Sequence, residues 1–219
     1  MATLPAWAKK VLHGSDAETI RAAVQEAERR TKGEFVVVLA RRSSGVAHVP
    51  FVAALFVFSA LVLLVFGAAP HDSFAPLSRD LILAALASAV AGLGLGRLER
   101  VQRVCIPKQD RQLLVDRRAR LEFFKNRLEK TSGATGVLIF LSLMERQVLV
   151  LADKSIASKV GDKEWQGVVD AIVNGVKAGD LGKGLVEGVG RCSAVVERHF
   201  PRKGGLKKNQ LSDHLIVKE

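Results

Sequence analysis

From Pro50 to Ala69 the chain runs for 20 residues without a charge (PFVAALFVFSALVLLVFGAA). As a helix this run is about 30 Å long, the hydrocarbon thickness of a bilayer. A second run, Leu81 to Gly96 (LILAALASAVAGLGLG), is uncharged, with Arg79 and Arg97 at its ends, whose long side chains can reach the two interfaces. The short segment between the runs carries Pro70 and Pro76. Together they predict a two-helix transmembrane hairpin within 50–98, with spans at about 50–69 and 81–97.

Arg41 and Arg42 precede the first run, and Arg97, Arg100, Arg103 and Lys108 follow the second, whereas the connection has only Arg79. This bias places both termini in the cytoplasm and reads as a multi-pass protein of the cell (inner) membrane. No signal peptide is expected, because Lys9 and Lys10 are not followed by an apolar stretch. Ala84, Ser88, Gly92 and Gly96 recur every four residues and form a small-residue stripe on which a helix can close, either the first span or a second copy of the chain in a homo-oligomer. The GLGLG run lies inside an apolar span and lacks GxGxxG spacing, so it is not a dinucleotide loop. No ionisable residue lies inside either span, which argues against transport.

The mean hydropathy is +0.18 although a quarter of the residues are charged, because the apolar residues are gathered in blocks. The net charge of +11 favours an anionic partner. There is no tyrosine, and the phenylalanines sit mostly in apolar runs, not among Lys and Arg as base-stacking surfaces require. Membrane lipid is therefore the expected partner, together with an unidentified protein, and nucleic acid is not. Cys105 and Cys192 have no CxxC or Cys/His company and read as reduced thiols.

Outside the hairpin the periodicity alternates between helix and strand. Ser15 and Glu18 form an S-x-x-E capping box for a helix from about Asp16 to Thr31, which Gly33 stops. Glu34 to Ala40 (EFVVVLA) is the apolar run of a strand covered on both faces. Its neighbours are expected beyond the hairpin, at Val137 to Leu143 and Gln147 to Ala152, two strands joined by a polar tip at Met144, Glu145 and Arg146. A helix from about Lys108 to Lys130 places Leu114, Leu121, Phe124 and Leu128 on an apolar side. Two more follow, one with Trp165, Val168, Val169, Ile172, Val173 and Val176, the other with Leu181, Leu185, Val189, Cys192, Val195 and Val196. The layout is then 1–49, the first part of an α/β domain; 50–98, the hairpin; 99–201, the main part; and 202–219, a basic tail expected to be disordered.

The stretches GVLIFLSLMERQVLVLADKSI, the Trp165 helix, VKAGDLGKGLVEGV and ERHFP together resemble the TPM domain family in its membrane-embedded bacterial form, mainly over Lys108 to Pro201. The resemblance implies an α/β/α sandwich around a small mixed sheet. A plant member is credited with acid phosphatase activity and others bind calcium through carboxylates. Where many relatives have a Gly-Tyr-Gly-like turn after the second hairpin strand, this chain has Ala152-Asp153-Lys154.

Candidates for an acidic catalytic or metal site are Asp153, at the end of a buried strand, with Asp162 and Asp180, although the last two also suit helix N-caps. The histidines are scattered and form no H-x-x-x-H pair, and there is neither a G-x-S-x-G nor a P-loop. No cofactor is required by the sequence, and calcium enters only through the resemblance. Arg111, Arg117, Arg118 and Arg120, on the helix that follows the hairpin, are candidates for lipid contact. The expected function is a membrane-tethered α/β domain for protein interaction or assembly. The alternative is a calcium-associated phosphatase working through Asp153.

Overall fold

The computed structural model describes residues 4–45, 47–68, 77–131, 133–202 and 215–219, with no account of the side chains from 65 to 80. Two compact units emerge, one from Met1–Ser43 with Gln112–Glu219, the other from Ser44–Arg111. Pro70, Pro76, the side chain of Arg79 and most of the basic tail lie outside the described residues.

The first unit is built on strand β1, Glu34–Ala40, every residue of which is buried. Successive side chains point to opposite faces, so a strand apolar from Phe35 to Ala40 requires cover on both. Phe35, Val37 and Leu39 join one core with Ile20 and Val24 of α1 (Asp16–Arg30), Val168 and Ile172 of α7 (Asp162–Lys177), and Leu185 and Val189 of α8 (Leu181–His199). Val36, Val38 and Ala40 join a second core with Val115, Ala119 and Phe123 of α5 (Lys108–Lys125). Burying each large apolar side chain contributes roughly 1.5–3 kcal/mol. The result is a mixed α/β unit whose sheet has helices on both faces.

Strand order is β3 (Gln147–Ala152), β2 (Gly136–Ser142), β1, β4 (Ile216–Lys218). β1 runs parallel to β2 (Gly136–Ser142), in register from Glu34 opposite Gly136 to Ala40 opposite Ser142. β2 then turns back antiparallel onto β3 (Gln147–Ala152), which forms one edge. The two sides of the apolar segment thus meet in adjacent central strands. Paired threonines secure this junction. Thr31 Oγ1 accepts from Gly33 N–H at 3.1 Å, Thr131 Oγ1 accepts from Thr135 N–H at 3.1 Å, and the Thr135 hydroxyl donates to the Lys32 carbonyl at 2.9 Å.

Several expectations are corrected. The tail is not wholly irregular, since β4 (Ile216–Lys218) pairs parallel with β1 and forms the other edge. Three residues with an Ile-Val core carry too short a pattern to separate from a loop. The Ser15–Glu18 capping box does not form: the Ser15 side chain makes no cap hydrogen bond. Instead the Thr19 hydroxyl and N–H both donate to the Ser15 carbonyl at 3.0 Å, and Asp16 Oδ2 accepts from His13 N–H at 2.7 Å. The helix after the apolar segment stops at Lys125, because Arg127 takes a left-handed φ of 57° before a 3-10 turn at Leu128–Lys130. Met144 and Glu145 are buried rather than a polar tip; only Arg146, at φ 55°, is exposed.

The second unit contains α2 (Val49–Ala68), α3 (Leu77–Leu95) and α4 (Glu99–Val104). The first two occupy the apolar runs. Their side chains are described over 49–64 and 81–95, and among the described residues no helix is long and apolar enough to cross a membrane.

Candidate functional site

The three aspartates do not converge. Asp153 caps the short α6 (Lys154–Ala157), with Oδ1 accepting from Lys154 N–H at 2.7 Å, while its buried Oδ2 has no hydrogen-bond partner. Asp180 caps α8, accepting from Lys183 N–H at 2.9 Å. Asp162 is the first residue of α7 and not its cap, a position held by Gly161. As an exposed carboxylate in a first turn, Asp162 suits the helix dipole. Among the described residues no three His, Cys, Asp or Glu side chains are grouped to hold a metal ion. The aspartates therefore do not fit a shared calcium site, which needs several converging oxygens.

The arginines of α5 divide by role. Arg118 donates to the Arg42 carbonyl at 2.9 Å and to the main-chain oxygen of Glu219 at 2.5 Å, joining the segments that follow β1 and β4. Arg120 Nε lies 2.8 Å from Asp116 Oδ2 one turn back, and this hydrogen bond, then the carboxylate's charge, raises the guanidinium's pKa further above its ordinary value. Arg111 is half-buried, and Arg117 is exposed.

Of the apolar side read for this helix, Leu128 is fully buried and Leu114 half-buried, whereas Leu121 and Phe124 face outward. α5 buries Val115, Ala119, Glu122 and Phe123, while Leu113, Leu121 and Phe124 are 67%, 51% and 61% exposed. The spacing 113, 117, 121, 124 puts Arg117 in the middle of this outward stripe. Periodicity finds a helix with two apolar sides but does not rank them; the small Ala119 lets the opposite side approach the sheet.

The small-residue stripe is occupied by α2. A Cβ added at Gly92 would fall 2.3 Å from Ala54 Cβ, and one at Gly96 would fall 2.4 Å from Pro50 Cα. Ala84 and Ser88 are buried on the same side of α3. Large side chains point the other way: Phe51 is 74% and Val90 is 73% exposed, with Leu55, Phe56, Leu63, Leu64, Ile82 and Leu86 also open.

Two features escaped the sequence reading. Glu145 accepts from Ser43 N–H at 3.0 Å and from the Ser142 hydroxyl at 2.5 Å, and the hydroxyls of Ser43 and Ser142 lie 2.8 Å apart. This buried carboxylate fixes the chain where it leaves β1. Glu145 lies 102 residues from Ser43, so no local motif marks the pair. The other is a groove of about 480 Å³ along the edge strand β3, lined by Val115 and Asp116 of α5, Val148 and Leu149 of β3, and Val169 and Val173 of α7. Val169 and Val173, part of the apolar periodicity of α7, are half-buried at this groove, and Val176 beyond them is exposed.

A mixed four-stranded sheet with helices on both faces and a discontinuous chain path defines the class. Residues 101–195 match the TPM domain family model. The solved structure of the BA42 protein from the psychrophilic bacterium Bizionia argentinensis is similar at a TM-score of 0.58 and 18% identity, covering 99% of each chain. At that identity the likeness concerns the fold. No curated protein matches the sequence. The family match begins beyond the apolar segment, yet the sheet's central β1 comes from the residues before it.

Proposed function

We propose that this protein is a multi-pass protein of the cell (inner) membrane, whose α2 and α3 form the membrane hairpin and whose TPM domain is presented on the cytoplasmic side for interaction with another protein. The observation that carries the membrane reading is the outward face of α2 and α3. The two helices already cover each other's small residues, and the large apolar side chains left exposed far exceed the isolated patches of a water-soluble surface. Hydrocarbon is the solvent in which that face is stable. The runs Pro50 to Ala69 and Leu81 to Gly96 supply the length, and the arginines flanking them supply the orientation.

The interaction reading draws on β3. An edge strand with open main-chain groups beside an apolar groove is suited to accepting an extended segment of a partner. Alkaline extraction of membranes tests the anchor: the protein should stay with the lipid pellet, and release into the supernatant would overturn the reading. Cross-linking from Val148 in intact membranes should capture a partner.

The orphaned Oδ2 of Asp153 is the one observation favouring a metal-dependent phosphatase. Phosphate release that requires a divalent cation and is lost in Asp153→Ala would replace the interaction reading with that one.

A further inference from the structure

We infer that the outward face of α5 rests on an anionic lipid surface, an inference that builds on the membrane reading above and names a second, peripheral contact with the bilayer. Leu113, Leu121 and Phe124 are exposed in one stripe with Arg117 at its centre. Arg120 and Lys125 lie at its borders; Asp110, exposed one turn before Leu113, is the acidic side chain at the start of this face, and the next two along the helix are engaged elsewhere. Asp116 is held by Arg120, and Glu122 is turned into the protein, 3.8 Å from Lys125 Nζ.

Apolar residues interleaved with cations on one side of a helix suit the headgroup boundary, where the apolar groups enter the acyl region and the cations meet lipid phosphate. A water-facing helix would carry the charges without the exposed Phe and Leu. A protein-binding groove would not place an arginine among its apolar anchors without an acid to meet it. The chain's excess of positive charge points the same way. Continuity selects lipid over a free phosphate compound or a second copy: α5 begins at Lys108, 13 residues along the chain from the end of α3 at Leu95, so a short segment connects it to the proposed hairpin.

The test uses the full chain with Cys105→Ser and a nitroxide on Leu121→Cys; Cys192 is buried and does not compete for the label. The protein is reconstituted in vesicles of phosphatidylcholine alone or with phosphatidylglycerol. In anionic vesicles the label should be open to oxygen and lose access to an aqueous nickel chelate, and reversing charge with Arg117→Glu and Lys125→Glu should restore that access. Protection of Cys192 from thiol reagents reports that each variant is folded. Equal access to the chelate in both lipids overturns the inference. So does shielding in both lipids accompanied by dipolar broadening, which would mean that a second copy covers the face. Alkaline extraction of the same samples keeps the two readings apart. An extracted protein whose label is still shielded by anionic vesicles would sink the hairpin and leave this surface standing. A retained protein with an open label would do the opposite.

Discussion

Two helix pairs in this molecule close in the same way and face different surroundings. In α7 and α8, a Cβ at Gly175 would fall 2.3 Å from Gly184 Cα, and one at Gly188 would fall 2.4 Å from Ile172 Cγ1. In α2 and α3, Gly92 and Gly96 make equally close approaches to Ala54 and Pro50. The difference lies in the large residues. α7 and α8 turn Val168, Ile172, Leu185 and Val189 toward the sheet and leave charged residues outside. α2 and α3 close on each other and turn Phe51, Phe56, Leu63 and Val90 away from their own contact. Small residues let helices touch in either setting; the environment is read from where the large ones point.

The largest expected effect separates the two units. Deleting residues 1–43 removes central β1 and should leave the remainder without cooperative unfolding. Replacing 50–96 by a short linker should leave a soluble unit with a sharp thermal transition. Circular dichroism during heating distinguishes the two.

Next in size, Ile172→Ala should destabilise by about 2–5 kcal/mol, because its cavity is enclosed by α8 and the sheet. Leu86→Ala on the outward face should change stability by less than about 0.5 kcal/mol. Denaturation in mild detergent compares them, and equal effects would erase the distinction between the pairs. Gly92→Leu should cost about 1–3 kcal/mol by forcing α3 away from Ala54, visible as lost disulfide cross-linking between cysteines placed on α2 and α3.

How much of this could be read from sequence depended on how local the cause was. The β1 run, the β2–β3 hairpin and the α8 face from Leu181 to Val196 are continuous patterns, and the structure places them as expected. The resemblance to the TPM family also rested on such local stretches. The outward stripe of α5 was misassigned because Leu121 and Phe124 look like core at helical spacing. β4 and the Glu145 clamp depend on partners more than a hundred residues away. Of the candidate site residues, Asp180 serves as the cap it was read to be and Asp162 does not, while Arg118 donates to the main-chain oxygens of Arg42 and Glu219.

The smallest effect is a pH dependence at Cys192. Full burial raises its thiol pKa well above the ordinary 9.0 by desolvating the thiolate. The folded state therefore favours the protonated thiol. Stability from this group is full below pH 9.0 and falls as pH rises above it, since the unfolded chain then releases a proton that the folded one keeps. Cys192→Ala should flatten that alkaline loss in urea titrations.

The central claim is that the outward face of α2 and α3 lies in hydrocarbon. Single cysteines at Phe56, Leu63, Leu86 and Val90, in a Cys105→Ser background, can be exposed to an aqueous maleimide in membranes open on both sides. The account predicts no labelling at these four positions before detergent is added, with full labelling of the native Cys105 in the parent protein. Labelling of the outward positions as readily as Cys105 would contradict it.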